Sequence, residues 1–240
     1  MKRLFTGLTD VGLLRSVNQD DYYLDPEGRF FIVADGMGGH AGGQEASRLA
    51  TATIQAYLDA HWHSAEASSV ILEQAFLEAN HAILLDQRSH PERSDMGTTA
   101  VVVMFRDADP LCAHIGDSRL YRLRGAKLEQ ITEDHTWVAL AMRMGEITPD
   151  QARNHPWRHV LAQCLGREEV RQIDMHTFQV QAGDRLLLCS DGLTEELSDQ
   201  IIASYLKSIR VCEKAAETLV DAAKEHGGRD NITVVVVLVS

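Results

Sequence analysis

An α+β sandwich is the fold this sequence predicts, and three observations carry the prediction. Short runs rich in β-branched and large apolar residues are bounded by Gly, Asp or Pro; two pairs of helical stretches interrupt them; and several connections are too short for a crossover. The order is strands, two helices, many strands, two helices and a final strand. It lacks the strict alternation of a doubly wound parallel sheet.

The strands are expected at residues 30–34, 99–105, 111–115, 119–124, 185–189 and 232–239. Asp25-Pro26-Glu27-Gly28, Asp107-Ala108-Asp109-Pro110 and Arg124-Gly125-Ala126 resemble hairpin turns, which favour antiparallel pairing. A 3.6-residue rhythm in Ala46, Leu49, Ala50, Thr53, Ile54, Tyr57 and Leu58 marks one helix, and Ile71, Leu72, Ala75, Phe76, Ala79, Ile83 and Leu84 mark the next. Ile201, Ile202, Tyr205 and Leu206, then Ala215, Ala216, Leu219, Val220 and Ala223, mark the second pair. No low-complexity linker divides the chain, so residues 1–240 are expected to form one domain. Residues 134–165 differ: His135, Trp137, Met142, Met144, His155, Trp157 and His159 are set among polar residues, as a packing patch or a partly exposed flap.

With 240 residues, 45% of them hydrophobic, the chain can build a real core. A formal net charge of -12 argues against wholesale binding to nucleic acid or to an anionic membrane. No apolar run is long enough to span a bilayer and no signal-peptide stretch follows Met1-Lys2-Arg3, so the expectation is a cytoplasmic protein. Cys112, Cys164, Cys189 and Cys212 are scattered without a close pair, which reads as reduced, mostly buried thiols.

The informative pattern is acidic. FFIVADGMGGH puts Asp35 and Gly36 after a strand, CAHIGDSR does the same for Asp117, and RLLLCSDG does it for Asp191; GGRDNITVVVV puts Asp230 and Asn231 before one. Any one of these aspartates alone could simply begin a turn. Sheet ends can converge side chains far apart in sequence, and four carboxylates brought together repel one another unless protons or cations offset the charge. Oxygen ligands without cysteine suit hard divalent ions such as magnesium or manganese better than zinc. Gly36, Gly38 and Gly39 permit tight turns, and the Gly36 carbonyl could join such a ligand set. The loop has neither a Walker spacing nor a dinucleotide fingerprint.

Two hard cations sharing a water can hold a phosphoryl group for in-line displacement with no covalent intermediate. Arg15 offers a planar donor fork for phosphate, or is an ordinary surface arginine; His40 could protonate a leaving alkoxide, or is structural; Asp20 reads as an acceptor for water around a metal.

RSVNQDD, VADGMGGHAGG, SDMGTTAVVV, HIGDSRLY, ITEDHT, LLLCSDGL and GGRDNITVV together resemble the protein phosphatase 2C (PPM) family of metal-dependent protein serine/threonine phosphatases, in its compact bacterial form. The resemblance implies a four-layer α-β-β-α sandwich with two central, mainly antiparallel sheets. It implies hydrolysis of phosphoserine and phosphothreonine in proteins by a water or hydroxide bridging two Mn2+ or Mg2+ ions, with room for a third, weaker ion. Carried over, Asp35 bridges both metals, the Gly36 carbonyl contacts the second, Asp191 and Asp230 complete the first, and Asp20 holds waters of the second. Asp117 and Asp191 share the third. Arg15 binds phosphate, His40 protonates the leaving group, and Asn231 fixes the local turn. The partner is a phosphorylated protein and the state expected is a monomer. Gln19 stands where several eukaryotic members carry an acid, which leaves the second metal more dependent on water-mediated contacts. Residues 134–165 correspond to the family's flap. A phosphodiesterase would need a basic groove, for which only the dispersed Arg119, Arg122, Arg124 and Lys127 are available; a degenerate phosphate-sensing module would lack the carboxylates that this chain has.

Overall fold

Residue parity along the strands sets the architecture. On the strand that carries Asp35, Phe30 and Ile32 turn to one side and pack with helical residues, while Phe31 and Val33 turn to the other and pack against a second sheet. The structure, a computed structural model, describes residues 2–39, 42–170 and 172–240.

In chain order the elements begin with β1 (Arg3–Asp10), β2 (Asp20–Leu24), β3 (Phe30–Met37), α1 (Gly42–His61) and α2 (Ser68–Ser89). A run of strands follows: β4 (Gly97–Thr98), β5 (Ala100–Met104), β6 (Leu111–Ile115), β7 (Arg119–Arg124) and β8 (Lys127–Gln130). Two short helices, α3 (Trp137–Arg143) and α4 (Pro149–Arg153), occupy the segment read as a flap. The chain then makes β9 (Asp174–Thr177), β10 (Arg185–Cys189), α5 (Asp191–Thr194), α6 (Asp199–Ser208), α7 (Cys212–Glu225) and β11 (Ile232–Val239).

One sheet runs β1-β11-β10-β7-β8 and the other β2-β3-β5-β6-β9, with β4 pairing β3 alone. Every pair is antiparallel. Three apolar layers hold the sheets and helices together. Ala46, Ile54, Ile71, Phe76 and Ile83 of α1 and α2 pack on Phe30, Ile32, Val102 and Ala113. Phe31, Val33, Val101 and Val103 meet Leu186, Leu188, Val235 and Val237 between the sheets. Leu187, Val234 and Val236 on the far face pack on Ile202, Leu206, Ala216 and Leu219 of α6 and α7. The result is the four-layer α-β-β-α sandwich, with each large core side chain contributing about 1.5–3 kcal/mol by burial.

All four expected long helices form, the three expected hairpin turns join antiparallel neighbours, and all four cysteines are buried and unpaired. Two differences bear on the site. Strand β3 runs on to Met37 where a strand end at residue 34 is expected, so Asp35 and Gly36 lie inside a ladder. Asp35 stands opposite Asp20, and Gly36 stands opposite Thr98 of β4, a pairing that the glycine-rich sequence gives no reason to expect. Strands β1, β2, β8 and β9 are also additional to the expected set; their half-exposed, polar-rich residues carry no apolar run. Among the described residues, no helix is long and apolar enough to cross a membrane.

Candidate metal centre

The carboxylates converge because β3 and β10 end on the same side of the sandwich. Asp35 lies near the end of β3, Asp117 in the turn after β6, Asp191 at the first position of α5 directly after β10, and Asp230 just before β11. Asp35, Asp117, Asp191 and Asp230 line one cavity of about 550 Å³, together with Arg15, Gly36 and Gly38.

Hydroxyls and amides aim each group. Thr99 holds Asp35 twice: the Asp35 N–H donates to its Oγ1 at 3.0 Å, and its own N–H donates to the Asp35 carbonyl at 2.9 Å. Thr98 Oγ1 donates to that same carbonyl at 2.8 Å. Gly36 has to be glycine for space, since a Cβ there would stand 1.9 Å from the Gly43 carbonyl oxygen. Helix α1 therefore approaches β3 backbone to backbone. Asn231 ties the loop bearing Arg15 to the end of β11: its Nδ2 donates to the carbonyls of Val11 and Val17, and its Oδ1 accepts from the Gln19 N–H at 2.7 Å. Arg15 Nη2 donates to Asp230 Oδ2 at 2.6 Å, while Asp230 Oδ1 accepts from the Asn231 N–H.

Asp20 does not line this cavity but sits behind it. Its Oδ2 accepts from Ser190 Oγ and Thr233 Oγ1, each at 2.7 Å, and its buried Oδ1 has no partner. Burial first, and the charges of Asp191 and Asp230 after it, raise this carboxyl to about 7 against the restraining hydroxyls. Asp35 is pushed well above the usual carboxylate range, by burial and then by Asp20, Asp191, Asp117 and Asp230. Asp191 rises through burial and Asp230, although a hydrogen bond with Asp35 opposes the rise. Asp117 rises through burial, Asp191 and Asp134. Asp191 Oδ1 is buried without a partner. Crowded, dehydrated carboxylates with unshared oxygens have the donor chemistry that hard divalent cations neutralise. The residues fit such ions.

The structure adds Glu195, which sequence reasoning passed over, and brings to it His159, named in the sequence only as one of the flap residues. Glu195 lies one helical turn beyond Asp191 in SDGLTEE, and it lines the same cavity; burial, Asp191 and Asp230 raise it to about 8. His159 comes from the flap segment and pairs with Glu195 through Nδ1 and Oε1. His159, Asp191 and Glu195 can each place a ligand atom within 4.8 Å of the others. The i, i+4 spacing of Asp191 and Glu195 was the available signal. A second cavity of about 470 Å³ adjoins the first through Asp117, Arg158, His159, Asp191, Glu195 and Arg229, and Val138, Met142 and Ala152 of the flap segment form its apolar wall. His40 lies outside the described residues. Gly38 lines the carboxylate cavity with φ of +138°, whereas Gly39 is not among its lining residues.

Three of the four dispersed basic residues are held by carboxylates. Arg119 forks onto Asp134, Arg122 pairs with Glu129 and Arg124 with Asp184.

Comparison with known proteins agrees with the geometry. The Protein phosphatase 2C family model matches residues 15–225. The serine/threonine protein phosphatase PstP of Mycobacterium tuberculosis is 39% identical over 232 residues, which are 97% of this chain and 44% of that protein. The chain thus spans less than half the length of this curated relative. The serine/threonine phosphatase stp of Listeria monocytogenes is 37% identical over 238 residues, covering 95% of this chain and 93% of that protein. The crystal structure of the M. tuberculosis phosphatase PstP/Ppp superposes with a TM-score of 0.89 at 37% identity, covering 99% of each chain. The catalytic domain of PstP in complex with 2 manganese ions gives 0.86 at 36% identity, covering 98% of this chain and 97% of that one. A model match across most of the chain, two relatives above 30% identity and a shared four-layer sandwich lead to one conclusion: this chain belongs to the protein phosphatase 2C family.

Proposed function

We propose that residues 1–240 act as one catalytic domain that hydrolyses phosphoserine and phosphothreonine in proteins, with Asp35, Asp191, Asp230, Asp117 and the Gly36 carbonyl holding Mn2+ or Mg2+. The observation that carries this reading is the convergence of Asp35, Asp117, Asp191 and Asp230 on one cavity with Arg15 at its rim. The PstP catalytic domain, solved with 2 manganese ions, supports the choice of metal.

Two bound divalent cations would supply the positive charge that offsets the carboxylates and activates the attacking water. The rest falls to the chain's own residues. Arg15 has half its side chain exposed and is held by one carboxylate oxygen, so it can exchange Asp230 for substrate phosphoryl oxygens and bind them with its planar fork. Asp20, beneath the cavity, offers its unshared Oδ1 to ordered water, and the Ser190 and Thr233 hydroxyls fix its direction. Thr98 and Thr99 lock the backbone of Asp35 so that its carboxylate does not reorient as charge develops. His40, next to this glycine turn in sequence, donates the proton to the leaving serine or threonine oxygen. The flap segment contributes Arg158 and His159 to the walls of both cavities, where they can face a substrate phosphate. The reading extends to a cytoplasmic, monomeric enzyme.

Chelator-treated protein, reloaded with Mn2+ or Mg2+ and offered a phosphoserine peptide, a phosphotyrosine peptide and a phosphodiester, tests the proposal. Metal-restored release of phosphate from the phosphoserine peptide ahead of the other two is the expected result. Preference for the diester overturns it.

A further inference from the structure

Three histidines lie behind the turn that carries Asp117. His114 on β6 stacks on His135 at 4.6 Å between ring centroids and on His176 of β9 at 5.7 Å. His114, His135 and Asp174 can each place a ligand atom within 4.8 Å of the others, which invites a metal reading. The hydrogen bonds and ring planes favour another role. An ion lies in the plane of each imidazole that binds it, and the His114 and His135 rings are only 25° from parallel. The two nitrogens of His135 are both engaged, whereas His114 gives Nε2 to the Glu133 carbonyl at 2.8 Å and keeps a buried Nδ1 without a partner.

His135 Nδ1 accepts the backbone N–H of Gly116 at 3.2 Å, which requires the ring proton to sit on Nε2. Nε2 then donates to Asp174 Oδ2 at 3.2 Å. The backbone of His135 works in the same direction, since its N–H donates to the Gly116 carbonyl at 3.0 Å. Gly116, with φ of +101°, is therefore clasped at both its amide and its carbonyl, and the next residue is Asp117. On its other side the His135 carbonyl accepts from the Ala162 N–H at 2.7 Å, where the flap segment returns, and Thr136 bridges Leu161. Thr136 Oγ1 then caps α3 through the Ala139 N–H.

We propose that His135, its tautomer set by Asp174, is a positioning residue that clasps Gly116 so as to aim Asp117 into the carboxylate cavity, and couples that aim to the anchor of the flap segment. This rests on the metal-dependent reading above. Asp174 lies on β9 and lines neither of the cavities that hold Asp117. Its side chain meets His135, while its backbone pairs with His114 of β6, three residues before Asp117. Without an acceptor at Asp174, the His135 proton is free to move to Nδ1, where it opposes the Gly116 N–H and releases the turn.

The test uses Asp174→Ala and Asp174→Asn in the full chain. Asparagine keeps an oxygen that accepts from His135 Nε2, whereas alanine does not. Nitrogen-15 spectra of the histidines in chelator-treated wild type should show His135 as the Nε2–H tautomer, a readout independent of folding in any variant. Calorimetric titration with Mn2+ should show the weakest site roughly tenfold weaker in Asp174→Ala and restored to within about twofold in Asp174→Asn. Phosphopeptide turnover in Asp174→Ala should recover toward wild type as Mn2+ is raised, so the change falls on the metal requirement and not on kcat. An Nδ1–H tautomer in wild type, unchanged Mn2+ affinity in Asp174→Ala, or equal losses in the two variants overturns the proposal. So does a Zn2+ titration that drives both His114 and His135 nitrogens to metal-bound shifts. Wild type that neither binds Mn2+ nor hydrolyses phosphopeptide overturns the phosphatase reading itself, a result distinct from active wild type with an indifferent Asp174→Ala.

Discussion

Strands β3 and β10 each carry an aspartate at both ends, and the two ends are treated in opposite ways. Before β3, Asp25 is wholly buried, yet it takes Arg29 Nη2 at 2.5 Å and Nε at 3.0 Å and accepts backbone N–H groups from Glu27 and Arg29. Before β10, Asp184 is 1% exposed and takes Arg124 at 2.9 and 2.7 Å. Both are held below the usual carboxylate range: burial, the largest influence, is outweighed by the hydrogen bonds and arginine charges together. At the other ends, Asp35 and Asp191 are buried among further carboxylates and are raised. The fold is able to neutralise a buried aspartate with arginine and does so twice on these strands. Where it does not, the negative charge is left for a ligand from outside.

Substitutions at the two ends should separate along that line. Asp35→Asn or Asp191→Asn should lower metal-dependent phosphopeptide turnover by more than about a hundredfold, because a cation loses a direct ligand. Near-normal rates at saturating Mn2+ would break the comparison. Asp25→Asn should leave the rate within about twofold but cost about 1.5–3 kcal/mol in urea unfolding, as the partly buried Arg29 loses its charge-assisted bonds. Arg15→Ala should raise the Michaelis constant by roughly tenfold with a smaller change in kcat, which steady-state kinetics on one phosphopeptide would read. If both constants are unchanged, the assignment of Arg15 fails.

The raised carboxyls also sharpen the comparison through pH. Asp20 titrates at about 7 in the fold against an ordinary 3.8, so it favours the folded state only while protonated. Its contribution is fully present below about pH 3.8 and is lost as pH rises through about 7. Melting of metal-free protein between pH 5 and pH 8 should therefore show a downward trend that Asp20→Asn flattens, and added Mn2+ should stabilise more at pH 8 than at pH 5, since fewer protons are displaced. The smallest effect is expected at Arg122→Ala, whose side chain pairs with Glu129 away from the carboxylates; phosphopeptide hydrolysis should stay within about twofold.

Much of this was legible before the structure. The long helices and apolar strands follow from periodicity that burial enforces, and the acidic residues beside glycine stand out at the edge of each apolar run, although β3 continues through Asp35 and Gly36 to Met37. Asp35, Asp117, Asp191 and Asp230 were therefore findable one by one, and their convergence was inferable from the number of strands ending in acid. The edge strands β1 and β2 escaped because most of their residues are only partly buried and no apolar alternation survives. Thr98, Thr99, Ser190 and Thr233 escaped because an isolated hydroxyl gives no clue to which distant oxygen it will meet. The layer behind Asp117 was hidden for the same reason, since His135 and Asp174 are 39 residues apart and meet only when β9 pairs with β6.

Calorimetric titration of Mn2+ into chelator-treated protein, wild type beside Asp35→Asn, tests the central claim most directly. The account predicts at least two ions bound by wild type and loss of the tightest one in the variant, with both proteins folded. Wild type that binds no Mn2+, or a variant that binds it as wild type does, would contradict it.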